Sequence, residues 1–276
     1  MSLAEILALP FMQHALLAAL FCSVASGVIG TLVALNRLSY LAGAIAHAAY
    51  GGIGIAFLFR LPALPCTMGF SLVSSLLMAH IASRGDSPSL NRDPDTAIGI
   101  LWAAGMAFGI ILIELSPGYA GDLMGFLFGS ILAVPVSSLY LMAGLDLLLI
   151  LLLLRFRQGL TALSLDPDFA LSRGIHVRAY FFLLIGMTAI AVVMLLQVVG
   201  LILVIAMLTL PPHMARRHAR TLGGMMALTT ALCLFFCLAG LALGVAFNLS
   251  SGALIIAVAT VSYCVQCIML RAGHME

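Results

Sequence analysis

Apolar residues run along this chain in long stretches separated by short polar interruptions. About 20 apolar residues, rising about 1.5 Å each, cross a hydrocarbon core about 30 Å thick. The pattern predicts spanning helices over roughly 13–35, 38–59, 62–82, 96–115, 137–154, 178–197, 199–212, 222–246 and 250–270. The stretch 199–212 is short, and 121–135 is apolar but short and rich in glycine, so one of the two is expected to be a re-entrant segment enclosed by protein. The expected fold class is all-α: a polytopic transmembrane helical bundle of 8–9 spans, with residues 1–276 forming a single membrane domain. The longest polar interruptions are 84–95 and 156–177.

Composition agrees with the pattern. Hydrophobic residues make up 63% of the chain and charged residues 8%, against about 25% charged in a soluble domain. At a mean hydropathy of +1.21 a water-soluble fold would have no polar surface to present. A net charge of +2, spread along the chain, gives no footprint for nucleic acid. All twelve basic residues are arginine. Without a lysine there is no Walker A phosphate loop, so ATP-driven work would have to come from a partner.

The arginines also set the orientation, because cytoplasmic loops carry the positive excess. Arg37, Arg84 with Arg92, the cluster Arg155, Arg157, Arg173 and Arg178, then Arg216, Arg217 and Arg220, and finally Arg271 mark cytoplasmic ends. The connections near 116–121, 198–199 and 247–251 lack arginine and are expected outside; Arg60 dissents. The first residues lack the positive region of a signal peptide and are read as part of the mature chain. Five of the six cysteines lie inside apolar runs, and the spacing Cys264-x-x-Cys267 is expected to be core packing rather than a redox or zinc site.

One polar interruption looks built to be gripped. In 165–175, Asp166 can cap a short helix, Pro167 suits its first position and Asp168 complements its positive end. Gly174 supplies the left-handed residue that ends it. Phe169 and Leu171 would then be apolar side chains on an exposed cytoplasmic helix, which favours docking into a partner's groove over a plain connector.

Ionisable residues at membrane depth are functional candidates by default. His47 lies ten residues beyond Arg37, about 15 Å deep and near the midplane. Its surroundings are alanine and glycine, which let helices approach closely or leave room for a pathway. A neutral imidazole there can ligate a borderline divalent metal or hydrogen-bond a neighbouring helix. Asp146, nine residues before Arg155, is equally deep and could be a ligand, a proton relay or a polar partner. His213 follows Pro211 and Pro212 near the cytoplasmic end, as a gate ligand or a histidine bonding free helix-end carbonyls. Glu114 and Asp122 flank an external connection and are read as solvated loop residues at the mouth.

Several stretches together resemble the metal-transport permeases of the ABC-3 family. They are Arg37-Leu-Ser-Tyr40 with Ala46-His47-Ala48, the run Asp95–Ile100, Phe126–Leu132, Asp166-Pro-Asp-Phe-Ala170 with Gly174, and Gln197–Gly200 through Leu210-Pro211 to Ala215-Arg216. The resemblance implies an importer subunit for zinc, manganese or iron in a bacterial cell (inner) membrane. It implies a homodimer with a second permease copy, two cytoplasmic ABC ATPase subunits and an external metal-binding protein. No cofactor is implied beyond the transported divalent metal ion. The 166–174 helix then resembles a coupling helix (Asp166, Pro167, Asp168, Phe169, Ala170, Gly174), and His47 matches the family's pathway histidine, with Asp146 and His213 as further pathway candidates. Two departures stand out: Gly43 occupies the place of the aspartate one turn before that histidine, and His213 stands where the family has a small residue. An ion-coupled secondary transporter and a permease for a metal chelate are the alternatives. An intramembrane enzyme lacks its paired aspartates or zinc-ligand triplet at helical spacing.

Overall fold

The computed structural model describes residues 9–83, 94–116, 129 and 131–272, and every regular element among them is helical. Helix α1 (Pro10–Ala25), a π-helical turn (Ser26–Gly30) and α2 (Thr31–Leu35) make a first rod; α3 (Ser39–Ala48) and α4 (Tyr50–Phe59) make a second. Then come α5 (Ala63–Ala82), α6 (Pro94–Glu114), a 3-10 turn (Ile131–Ala133), α7 (Val136–Leu165), the short α8 (Pro167–Ser172), α9 (Val177–Ala215), α10 (Leu222–Phe247) and α11 (Ser251–Ala272). Among the described residues 7 stretches are long and apolar enough to cross a membrane, and Ile98–Glu114 and Val199–Ala215 are shorter apolar helices. Each of the nine stretches expected from the hydrophobic pattern is therefore a helix.

Two details differ from the expectation. Helix α7 does not stop near residue 154 but runs on to Leu165. Phe156, Leu160 and Leu163 continue the helical apolar spacing through the arginines, and Leu160 and Leu163 are buried. A Cβ on Gly159 would overlap the ring of Tyr180, so the end of α7 meets the start of α9 closely at that glycine. The stretch 199–212 is the second half of α9, extended to Ala215 and set off from the first half by the non-helical Gly200 (φ 76°, ψ 167°). Of 121–135, the described part is Gly129 and residues 131–135; Arg84, Arg92 and Asp122 lie outside the described residues.

The described chain forms two compact units that alternate along the sequence: Met1–Ala34, Leu123–Leu148 and Met194–Glu276 in one, Leu35–Asp122 and Leu149–Val193 in the other. In the first, the π-helical turn brings Gly27 where a Cβ would overlap the Thr230 hydroxyl. One turn on, the Thr31 hydroxyl donates to that of Thr229 at 3.2 Å. Such close, polar-stitched helix contacts suit a medium in which apolar side chains gain nothing by leaving lipid for each other. Gly129 (φ 61°) lies against the backbone of Val199 and Gly200, where any side chain would collide.

In the second unit the α3–α4 rod is the packed centre: Ser39–Phe59 is 78% buried, against 11% for Ser251–Met269 of α11 in the first. Its neighbour α6 approaches to backbone contact, because a Cβ on Gly109 would overlap the Tyr50 carbonyl. The Ser116 hydroxyl donates to the Phe57 carbonyl at 3.2 Å and ties the two ends together. Elsewhere large apolar residues such as Leu151 and Leu154 on α7 and Val261 and Ile268 on α11 are exposed, as expected where lipid is the solvent.

Candidate functional site

His47 sits one residue before the end of α3, half-buried, among buried Ala44, Ala46 and Ala48. Its Nδ1 lies 2.9 Å from the carbonyl oxygen of Gly43, one turn back. A carbonyl can only accept, so Nδ1 carries the proton, and in the neutral ring Nε2 keeps the lone pair a metal would use. The ring rests on the indole of Trp102 from α6, with centroids 4.3 Å apart and planes at 36°.

Asp146, on α7 in the other unit, is 5% exposed, and neither carboxylate oxygen has a hydrogen-bond partner among the described residues. An unpartnered buried carboxyl costs about 1–3 kcal/mol or more, so it is retained against stability. Cys22, Cys233 and Cys237 are buried in the same unit. His213, also in that unit, is exposed in the last turn of α9, its ring 6.2 Å from that of Tyr263 in an edge-on arrangement. The histidine that does bond a helix-end carbonyl is His218, whose Nδ1 lies 3.2 Å from the oxygen of Met214. The cysteine pair departs from its expected core-packing role, since Cys264 is exposed on α11 and Cys267 half-buried. Among the described residues, no three His, Cys, Asp or Glu side chains gather into a group able to hold a metal ion.

The segment 165–175 folds as its sequence suggested. One carboxylate oxygen of Asp166 accepts from the backbone N–H groups of Asp168 (3.1 Å) and Phe169 (2.9 Å). At the other end the N–H of Gly174 (φ 75°) bonds the Leu171 carbonyl and that of Ile175 bonds the Ala170 carbonyl, both at 3.0 Å. That reciprocal pair is a Schellman stop, which needs a left-handed residue at its turn. Ala170 is fully buried, while Phe169 and Leu171 are 58% and 65% exposed. The Arg173 guanidinium lies over the Phe169 ring at 5.8 Å. Beside Leu171 opens a groove of about 650 Å³, lined further by Ile175, Val177, Arg178 and Phe182.

A family model described as the ABC 3 transport family matches residues 8–270, almost the whole chain. The chain belongs to the ABC 3 transport family. An uncharacterized membrane protein of Synechocystis sp. is 45% identical over 93% of this chain and 89% of its own. The manganese import system permease protein ScaB of Streptococcus parasanguinis is 31% identical over the same shares. The solved structure of PsaBC from Streptococcus pneumoniae in complex with Fab superposes with a TM-score of 0.84 at 30% identity, covering 95% of this chain and 92% of that one. This ABC 3 chain is thus a multi-pass membrane permease subunit, a transport component rather than a catalytic enzyme. The sequence candidates of this ABC 3 chain do not include Trp102, a single tryptophan in an apolar helix. The signal that could have found it is local: Gly99 and Gly105 flank it by three residues on each side, on one face of α6.

Proposed function

We propose that this ABC 3 permease conducts a divalent first-row metal ion across the cell membrane, past His47, in an importer driven by separate ATPase subunits. The observation that carries the reading is His47 itself: an imidazole deep in a span, oriented by the Gly43 carbonyl, with Nε2 available among small side chains. A single imidazole without a closed ligand cage suits conduction, which needs binding strong enough to admit an ion and weak enough to release it. The permease name carried by the streptococcal relative favours manganese, with zinc and iron as the other ions that imidazole serves.

Coupling would run through α8. Its ends are held by Asp166 and the Gly174 stop, and its exposed Phe169 and Leu171 present apolar surface beside an open groove. Such a rigid, self-capped knob is suited to seat in the cytoplasmic ATPase subunit, with a second permease copy and an external metal-binding protein completing the assembly. Asp146 and His213 are proposed as secondary pathway residues, Asp146 on the support of its unpartnered carboxyl.

The test is uptake of Mn²⁺ by proteoliposomes holding the permease with its ATPase and delivery protein, comparing wild type with His47→Ala. Lost uptake with intact assembly is expected. Unchanged uptake would return His47 to a packing role and move the pathway to Asp146.

A further inference from the structure

We propose that Trp102 is the positioning residue of the pathway histidine: its indole face fixes the ring plane of His47 and so aims Nε2 at the passing ion. The proposal rests on the reading of His47 as a pathway ligand.

The need for such a residue follows from the neighbourhood of His47. An imidazole turns about two side-chain torsions, and the Gly43 bond sets the tautomer and the general direction of the ring while fixing only one distance. Of the residues near His47 on its own rod, Ala44, Ala46, Ala48 and Gly51 are too small to hold a ring, and the large Tyr50 is itself fully buried. Trp102 is the aromatic ring that meets the imidazole face, from α6 at 4.3 Å between centroids. The indole is itself held, since Tyr40, two turns before His47 on the same face of α3, packs against it at 5.8 Å.

Two glycines make this stack possible. Gly99, one turn before Trp102, leaves room for Tyr40: a Cβ there would lie 2.8 Å from the tyrosine hydroxyl oxygen. Gly105, one turn after, lets α6 approach α3: a Cβ there would lie 2.9 Å from the Cα of Ala48, next to His47. Glycine on both sides of the indole lets the α6 backbone come close enough for Trp102 to meet the imidazole face. Hydrogen-bonded partners that orient a metal-binding histidine change affinity about 10–100-fold when removed, and a stacked ring fixing the same orientation should act in the same direction at the low end of that range. Here the chain lacks a carboxylate at residue 43, so orientation of the imidazole carries more of the affinity.

Trp102 is the single tryptophan of the chain, so its emission reports this one place. The full chain in nanodiscs, titrated with Co²⁺, is expected to show saturable quenching of that emission, abolished in His47→Ala. By equilibrium binding of Mn²⁺, Trp102→Ala is expected to weaken affinity about 10-fold, with Trp102→Phe in between. In the reconstituted importer the same order should appear in KM for Mn²⁺, with the rate at saturating Mn²⁺ held. A merely structural role would lower assembly and maximal rate and leave KM alone, which overturns the proposal. Lost uptake in His47→Ala beside wild-type affinity in both Trp102 variants also overturns it and leaves the pathway reading standing. Normal uptake in His47→Ala with no quenching in wild type overturns both.

Discussion

The Nδ1–H of His47 donates to the carbonyl of Gly43 at 2.9 Å, within the same turn of α3 where the resemblance to the ABC-3 permeases implies a carboxylate side chain. The backbone of residue 43 therefore orients the histidine, and on the proposed pathway residue 43 offers the ion no anionic side chain. Gly43→Asp would restore a carboxylate on the same face, one turn away. Lower KM for Mn²⁺ is expected in Gly43→Asp, with a slower maximal rate because tighter sites release more slowly. Uptake kinetics at graded Mn²⁺ would check it; an unchanged KM would place residue 43 off the ion path.

Asp146 carries a buried carboxyl without hydrogen-bond partners among the described residues. Replacing it with an apolar group of similar size removes that penalty, so Asp146→Leu is expected to raise stability by about 1–3 kcal/mol while lowering transport. Thermal unfolding in detergent and uptake, measured on one preparation, would separate the two effects. Reduced stability would mean that the carboxyl has a structural partner after all.

The cap of α8 offers a test of coupling that does not touch the pathway. Asp166→Ala removes the acceptor for two backbone N–H groups and should cost about 1 kcal/mol locally. Weaker ATPase association and reduced ATP-dependent uptake are expected, with Mn²⁺ binding to the permease unchanged. Co-purification of the ATPase reads the first effect, and undiminished co-purification would count against the docking role.

Phe169→Ala should act more strongly than Asp166→Ala, because it removes the exposed apolar side chain itself rather than the frame that presents it. Phe169→Leu is expected to recover part of the association. A ranking in the opposite order would point to the caps, not the knob, as the contact surface.

Much of this protein was legible in its sequence. The length and apolarity of each stretch determined the helices, since a backbone in lipid must satisfy its own hydrogen bonds and a helix does so within one segment. The α8 cap was equally readable, because Asp166, Pro167 and Gly174 act on atoms only a few residues away. Depth counted from the arginines makes His47 and Asp146 candidates, and no more than that. The end of α7 is not legible in the sequence, because Arg155 and Arg157 look like a boundary, whereas the helix continues on Leu160 and Leu163, whose burial depends on neighbours from elsewhere in the chain. The break at Gly200 and its contact with Gly129 depend on two segments some seventy residues apart meeting backbone to backbone. Trp102 belongs to the same class. Its meaning comes from α6 approaching α3 closely enough to place an indole on the His47 ring, and that approach is a property of packed helices, not of either helix alone.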